Sequence, residues 1–134
     1  MYVKIGPVGR KNRAEKVVID DYDVWNLDHS LALIIVPALK KLKEKKQGAP
    51  FVDNEDVSEE LRASDEDLHT YSKNGETDDR YFDRWDYIMD EMIWAFQQKL
   101  EDDWDMEKEA YDSYFNRIDN GFRLFGKYYN GLWD

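Results

Sequence analysis

Residues 78–104 read DDRYFDRWDYIMDEMIWAFQQKLEDDW, and this stretch decides the fold. Its apolar side chains recur every three or four residues, the period of an amphipathic α-helix; they are Phe82, Trp85, Met89, Met92, Phe96 and Leu100. The same spacing returns nearer the C-terminus at Tyr111, Tyr114, Phe115, Ile118, Phe122, Phe125, Tyr129 and Leu132. The pattern predicts two long helices, over residues 79–103 and 106–130.

A third helix is predicted upstream, over residues 26–46. Its apolar stripe comprises Leu27, Leu31, Ile34, Ile35, Ala38, Leu39 and Leu42. Lysines at its C-terminal end complement the helix dipole, and Gly48 followed by Pro50 ends it. Pro37 lies inside the pattern, where it removes a backbone donor and clashes with the preceding turn. We therefore expect a kink or a break between Leu33 and Pro37.

The N-terminal segment carries a different period. YVKIG at residues 2–6 alternates like a strand, and KVVIDDY at residues 16–22 is a second β-rich run. Residues 2–22 are predicted to form a β-hairpin, lying against the helices because two strands alone are marginal in water. Residues 47–78 lack apolar periodicity and are expected to be a long acidic connection, with at most one helical turn near residues 58–62. The expected fold is α+β, mainly helical, in one domain spanning residues 1–134.

Composition excludes several classes of function. The chain has no Cys, so it offers no disulfide, no thiolate zinc site and no cysteine nucleophile. The longest apolar run, LALIIVPAL, has nine residues, far below the roughly 20 that span a bilayer, and the N-terminus lacks the apolar core of a signal peptide. We expect no membrane association and no cofactor.

The net charge of -11 is unevenly distributed. Residues 1–17 carry five Lys and Arg against one Glu, and residues 38–46 again carry five Lys against one Glu. Residues 53–109 hold 21 Asp and Glu against six Lys and Arg. The basic islands could neutralise a small phosphorylated ligand, whereas extended nucleic acid would be repelled by the whole chain.

DDYDVWNLDH, residues 20–29, concentrates carboxylates and one of the two histidines. A metal site built on Asp21, Asp23, Asp28 and His29 matches neither the Glu-x-x-His pairs of di-iron bundles nor the glycine of a calcium loop. A capped helix start explains most of the stretch. Trp25, Asp28 and His29 remain candidates for one wall of a ligand pocket, and no metal is predicted.

Two further stretches combine cations with aromatic rings, as a nucleotide requires for its phosphate and its base. The first is the lysine run at residues 40–46, and the second is the tail GFRLFGKYYNGLWD at residues 121–134. Their candidate ligand-binding residues are Lys40, Lys41, Lys43, Arg123, Lys127 and Tyr128. A solvated helix end and an aromatic core helix are the alternative explanation. GxGxxG, GxxxxGK[ST] and GxSxG are all absent.

Three blocks in fixed order carry a family resemblance: DYDVWNLDH, RWDYIMDEMIWAF and GFRLFGKYYNGLWD. Together they resemble a family of small uncharacterised accessory proteins of tailed bacteriophages. The resemblance covers most of residues 1–5 and 17–134, and it departs at residues 6–16, where family members commonly carry a longer insertion. It implies a phage protein acting in the host cytoplasm and brings no catalytic residues.

Phage accessory proteins of this size without enzymatic motifs are often inhibitors of host defence. The first hypothesis is a non-enzymatic protein that sequesters a small nucleotide signal, of the cyclic or ADP-ribose type. The second is an acidic mimic of DNA that occupies a nucleic-acid-binding enzyme among the host defence proteins. The third is a nucleotide hydrolase centred on Asp21, Asp23, Asp28 and His29. The aromatic wealth of the last two helices, with residues such as Trp104 and Trp133, also predicts a homo-oligomer.

Overall fold

The computed structural model describes residues 1–5, 14–101 and 107–134. Two antiparallel strands, β1 (Tyr2–Ile5) and β2 (Ala14–Val18), precede four helices: α1 (Leu27–Lys45), α2 (Asp65–Asn74), α3 (Tyr81–Gln98) and α4 (Lys108–Lys127). Short 3₁₀ turns occupy Asp21–Val24, Asn54–Asp56, Glu59–Leu61 and Tyr129–Gly131. The predicted class, mainly helical α+β with an N-terminal hairpin, is confirmed. Residues 6–13, around the predicted hairpin turn, and residues 102–106, which include the end of one predicted helix and the first residue of the next, lie outside the described residues.

The core is built around α3. Its side chains at Trp85, Ile88, Met89, Met92 and Ala95 are all completely buried. A helix that buries residues over so wide an arc needs partners on more than one side, and α1 and α4 both pack against α3. Leu39 of α1 and Leu124 of α4 join the same buried cluster.

Helices α3 and α4 approach closely at Gly121. A Cβ atom placed on this glycine would lie 2.3 Å from the Cβ of Ala95 and 2.8 Å from the backbone oxygen of Glu91. Both distances are shorter than real Cβ contacts. Gly121 is therefore a packing requirement, since only a residue without a side chain lets the two helices meet here.

Helix α1 continues through Pro37 without a break. The missing donor of Pro37 leaves the carbonyl of Leu33 without its helical partner, but Leu33 and Pro37 are both exposed, so water can hydrate that carbonyl. The lysines at the end of α1 face α3: Lys43 Nζ lies 2.7 Å from an Asp90 oxygen, and Lys46 Nζ lies 2.8 Å from an Asp86 oxygen. These ion pairs join the two helices.

The segment predicted as a long acidic connection is folded over most of its length. Val52, Val57 and Ala63 are buried, and the amide side chain of Asn54 makes two hydrogen bonds, of 2.8 and 2.9 Å, to the backbone of Ala63. The expected helical turn is present at Glu59–Leu61, but helix α2 was not predicted. No helix of the described residues is long and apolar enough to cross a membrane.

Helix α2 has ordinary end signals. Ser64 accepts a hydrogen bond from the backbone of Asp67, and the Asp67 carboxylate accepts one from the backbone of Ser64, which is a capping box. Gly75 ends the helix with a φ of 70°, a left-handed conformation that favours glycine. Because α2 buries none of its residues, it has no continuous apolar stripe to reveal it in the sequence.

The two glycines of α4 provide a matched test of the α3–α4 contact. We expect Gly121→Ala to lower the free energy of unfolding by about 1–3 kcal/mol, because its methyl group overpacks the contact. Gly126→Ala has nothing within 4 Å of its added Cβ, so the helix propensity of alanine should raise stability by up to about 1 kcal/mol. Urea unfolding followed by circular dichroism measures both. Equal effects of the two substitutions would contradict the close approach.

Candidate functional site

The start of α1 is fixed by hydrogen bonds within the stretch DDYDVWNLDH. The carboxylate of Asp23 accepts the backbone N–H of Asp20 at 2.8 Å, and Ser30 Oγ donates to the backbone oxygen of Asp23 at 2.8 Å. These bonds hold the 3₁₀ turn Asp21–Val24 against the first turn of α1. The predicted side-chain cap of α1 is not formed by Asn26, its N-cap residue, and the polar groups of Asp20, Asp23 and Ser30 stabilise the preceding turn instead.

A cleft of about 680 Å³ lies between this helix entry, the end of α3 and the middle of α4. We call it the aromatic cleft, and the lining residues used below are Tyr22, Trp25, Asp28, His29, Lys99 and Glu101. Pockets of this volume are typical of small-molecule sites. The structure thus brings together three of the predicted ligand-binding residues, Trp25, Asp28 and His29. It adds Lys99 and Glu101, which directly follow α3 in the sequence.

Trp25 and Tyr22 form the aromatic side of the cleft. Their ring centroids lie 5.9 Å apart, with an interplanar angle of 32°. Trp25 is 79% exposed and Tyr22 is 78% exposed, the highest values among the exposed large hydrophobic side chains of the described residues. Large rings held this far into solvent, side by side at a cleft, favour contact with a planar ligand.

Asp28, His29 and Lys99 form the polar side of the cleft. His29 Nδ1 lies 3.1 Å from the backbone oxygen of Lys99; because a carbonyl only accepts, Nδ1 donates, and Nε2 of the neutral ring is an acceptor. Asp28 accepts the backbone N–H of His29 at 2.9 Å and lies 3.4 Å from Lys99 Nζ. The hydrogen bond from the His29 backbone, followed by the contact with Lys99, lowers the pKa of Asp28. Asp28 is therefore an ionised acceptor at neutral pH.

The proposed hydrolase residues Asp23, Asp28 and His29 line the aromatic cleft, but their polar groups are engaged in structural contacts. The ring of His29 is directed to the end of α3, whose last carbonyls lack helical partners, and Asp23 binds the backbone of Asp20. In the described part of the chain, the carboxylates that could hold a metal ion together belong to Asp53, Glu55 and Asp56, whose ligand atoms lie within 4.8 Å of one another.

The ammonium group of Lys127 lies among those three carboxylates. Its Nζ atom is 2.8 Å from Asp53, 3.2 Å from Glu55 and 2.5 Å from Asp56. An internal cation therefore already occupies the position between these carboxylates. These contacts, principally with Asp53 and Asp56, raise the pKa of Lys127, so its charge is retained across the physiological range.

Arg123, Lys127 and Tyr128, predicted to bind a ligand, all donate to Asp56. The Asp56 carboxylate is 1% exposed and receives Arg123 Nη2 at 2.8 Å and the Tyr128 hydroxyl at 2.6 Å, besides Lys127. Burial alone would raise the pKa of Asp56, but the bonds from Lys127, Tyr128 and Arg123 outweigh it and lower the pKa. Burial and the bond to Asp56 raise the pKa of Tyr128 to about 12. We call these four residues the Asp56 cluster.

The predicted lysines of α1 lie elsewhere. Lys40 and Lys43 border a shallow groove of about 420 Å³ together with Asp90, the ion-pair partner of Lys43, and Lys41 is exposed. The nine predicted residues are therefore distributed over three places: the aromatic cleft, the end of α1 and the Asp56 cluster.

Sequence reasoning missed Asp56 because it is one of many carboxylates in an acidic stretch. Arg84 and Asp78 were missed for the same reason: Arg84 is 1% exposed and makes a bidentate pair with Asp78, of 2.5 and 2.9 Å. Nothing in their local spacing distinguishes them from solvated ion pairs. No protein-family model, curated protein or solved structure matches this chain.

The Asp56 cluster predicts a specific dependence of stability on pH. Because the folded pKa of Asp56 is below its unfolded value, its contribution is complete above the unfolded pKa and is lost as pH falls through the folded pKa. We expect Asp56→Asn to lower the free energy of unfolding at pH 7 by about 3 kcal/mol, since it removes the buried anion that Arg123, Lys127 and the Tyr128 hydroxyl share. Urea unfolding between pH 3 and 7 should show a smaller pH dependence for the variant. An unchanged pH dependence would contradict the cluster.

Proposed function

We propose that the chain is a non-enzymatic binding protein that captures a small nucleotide-type ligand in the aromatic cleft. The observation that carries this proposal is the pair of exposed rings, Trp25 and Tyr22, beside a cleft with hydrogen-bonding groups. A nucleobase offers a flat face to such rings, and stacking requires no particular base. This proposal keeps the sequence-based hypothesis of sequestration and locates it at Trp25, Asp28 and His29.

The charges of the cleft restrict the ligand. Its lining has Asp23, Asp28 and Glu101 as carboxylates and Lys99 as its lysine. Carboxylates accept hydrogen bonds from base amino groups and ribose hydroxyls, but they repel phosphates. Lys99 provides limited compensation. The ligand we propose is therefore a nucleotide of the cyclic or ADP-ribose type, which has no terminal phosphate group with two negative charges and which is held by its base and sugar.

The cations at the end of α1 and in the Asp56 cluster are poorer candidates for binding a phosphate than the groups of the aromatic cleft. Arg123 and Lys127 are committed to the buried Asp56 carboxylate, and Lys43 is paired with Asp90. Releasing either Asp56 partner for a ligand would leave a buried carboxylate undercompensated. We therefore do not include Lys40, Lys41, Lys43, Arg123, Lys127 and Tyr128 in the proposed ligand site.

The biological role that we propose rests on the family resemblance of the three sequence blocks DYDVWNLDH, RWDYIMDEMIWAF and GFRLFGKYYNGLWD. We propose that the chain is a phage accessory protein that acts in the host cytoplasm and removes a nucleotide signal of the host defence. A homo-oligomer belongs to the same proposal, because each copy would contribute one cleft. Sequestration needs no catalytic group, and it requires only that the ligand is bound tightly and remains unchanged.

Replacement of Trp25 tests the ligand site. Stacking on an aromatic ring contributes about 1–3 kcal/mol per base, so Trp25→Ala should raise the Kd for the captured nucleotide by about 5- to 150-fold. Isothermal calorimetry against a panel of cyclic di- and trinucleotides and ADP-ribose derivatives identifies the ligand and measures the change.

Trp133→Ala is the matched control, because Trp133 is half exposed at the other end of the fold and should bind the ligand like the unaltered chain. The absence of binding to every nucleotide of the panel would reject the proposal, as would equal losses in the two variants. Chromatography of the ligand released by denaturation separates capture, which returns it intact, from hydrolysis.

The second candidate function is that of an acidic protein that mimics DNA. It is supported by the folding of residues 47–78, which the sequence predicted to be a long connection. Its carboxylates lie on folded elements and are mostly exposed; we call them the acidic surface, which comprises Glu59, Glu60, Asp65, Glu66, Asp67, Asp79 and Asp83. Arg80 joins its parts, donating to the Glu60 backbone at 3.2 Å and lying 3.9 Å from Asp67. A fixed array of carboxylates can follow phosphate spacing better than a loose acidic loop. Asp102 and Asp103, which belong to the same acidic part of the sequence, lie outside the described residues.

Charge reversal tests this second function. Asp65→Lys combined with Glu66→Lys should weaken binding to a basic, DNA-binding partner about tenfold, because two attractive rim contacts become repulsive. The partner is recovered on the immobilised chain and must be displaced by duplex DNA. Asp112→Lys with Asp119→Lys, exposed on α4, makes the same change of net charge elsewhere. Equal weakening by the two pairs would indicate a net-charge effect and reject the acidic surface.

A further inference from the structure

The rings of the aromatic cleft are suited to a positively charged ligand. The face of an aromatic ring carries the negative part of its quadrupole, so it attracts a cation more strongly than a neutral group. Trp25 and Tyr22 are each more than three-quarters exposed. No lysine or arginine of the described residues lies over either ring, whereas the guanidinium of Arg117 lies 3.9 Å from the ring of Trp94. The ring faces at the cleft are therefore accessible to a cation from outside.

The charged groups of the cleft leave an excess of negative charge. Its carboxylates belong to Asp23, Asp28 and Glu101, and its lysine is Lys99. The N-terminal ammonium group lies 2.9 Å from Asp23, and Lys99 Nζ lies 3.4 Å from Asp28. Even when both cations are counted, the three carboxylates exceed them by one formal charge. The chain as a whole carries -11, so its field has the same sign.

The helix ends at the cleft do not reverse this balance. Helix α1 begins beside the cleft and helix α3 ends beside it. The positive end of one helix dipole and the negative end of the other contribute partial charges of similar size and opposite sign, which largely cancel. The carboxylates therefore determine the sign of the electrostatic potential in the cleft.

Asp28 is a fixed carboxylate that remains open to a ligand. Its Oδ1 atom accepts the backbone N–H of His29 at 2.9 Å and its Oδ2 atom lies 3.4 Å from Lys99 Nζ, yet 62% of the side chain is exposed. Each carboxylate oxygen has two lone pairs, so these contacts orient the group without using all of its acceptor capacity. Asp23 differs, because its side chain is 14% exposed and accepts the backbone N–H of Asp20.

Accessible ring faces beside a fixed carboxylate favour a flat organic cation. A neutral base gains the stacking contact but not the attraction of the carboxylates. On the basis of the proposed nucleotide capture, on which this inference rests, we propose that the cleft selects a nucleotide whose stacked ring is positively charged. The chemical class is a quaternised nitrogen heterocycle joined to ADP-ribose, as in the pyridinium ring of an oxidised nicotinamide dinucleotide. The ring stacks on Trp25, and Asp28 and Glu101 compensate its charge.

Two nicotinamide dinucleotides that differ by one hydride test the role of ring charge. The oxidised form, NAD⁺, has a positively charged pyridinium ring, and the reduced form, NADH, has a neutral ring, while the phosphates and the adenosine are the same. Isothermal calorimetry should show that NAD⁺ binds about 5- to 30-fold more tightly than NADH, the range that a cation–π contact provides. Comparison of 1-methylnicotinamide, a cation, with neutral nicotinamide repeats the test without phosphates.

Asp28→Asn removes the charge and keeps an acceptor for the backbone N–H of His29. It should reduce the preference for NAD⁺ to less than about threefold, and NADH should bind no more weakly, because its ring is neutral and its phosphates are repelled less. Asp112→Asn makes the same change of net charge at an exposed position of α4 and should retain the preference. Circular dichroism verifies the fold of both variants. Raising NaCl from 50 to 500 mM should also reduce the preference.

The outcomes separate this inference from the proposed function. Equal binding of NAD⁺ and NADH would overturn the selection of a charged ring, and so would a preference that persists in both Asp28→Asn and Glu101→Gln. If cyclic nucleotides bind and NAD⁺ does not, nucleotide capture stands and the selection of a charged ring is wrong. If 1-methylnicotinamide binds and no nucleotide does, nucleotide capture is wrong and the selection of a charged ring stands. If nothing binds, both are rejected.

Discussion

The burial of α3 is the constraint on which the remaining structure depends. Trp85, Ile88, Met89, Met92 and Ala95 occupy so much of its circumference that the helix cannot lie on the surface of a sheet or of a single partner helix. Helix α1 covers one side and α4 another, and the absent side chain of Gly121 sets how closely α4 approaches. The ends of these helices then determine where the sites lie, since the aromatic cleft is formed where α3 ends beside the beginning of α1.

The charges of this acidic chain divide into two classes with different roles. Many carboxylates of the described residues are exposed to solvent. Two carboxylates have little contact with solvent: Asp56 accepts hydrogen bonds from Arg123, Lys127 and Tyr128, and Asp78 pairs with the buried Arg84. Buried ion pairs of this kind contribute modestly to net stability, but removal of one partner is costly. The Asp56 contacts attach the segment between α1 and α2 to α4, and the Asp78–Arg84 pair attaches the segment between α2 and α3 to α3. These contacts help to fold segments that lack apolar periodicity.

The sequence predicts the parts of the structure that depend on local periodicity. Three helices and the hairpin follow from the spacing of apolar residues, because a 3.6-residue or two-residue period directly reflects a buried face. Helix α2 has no buried face, and its capping box and terminal glycine were the remaining signals. The cleft was predictable in part, since Trp25, Asp28 and His29 are neighbours in the chain. Lys99 joins them only through tertiary packing. Arg123 and Lys127 have the spacing of a phosphate-binding pair, but a carboxylate 67 to 71 residues away occupies both.

The tryptophans occupy environments different enough to act as internal optical probes. Trp85 is completely buried beneath α1 and α4, whereas Trp25 is almost free in solvent at the aromatic cleft. Trp94 has an intermediate position, with the guanidinium of Arg117 3.9 Å from its ring. Emission from Trp85 therefore reports the integrity of the core, and emission from Trp25 reports events at the cleft. The chain thus carries separate, label-free fluorophores for its folding and for its contacts.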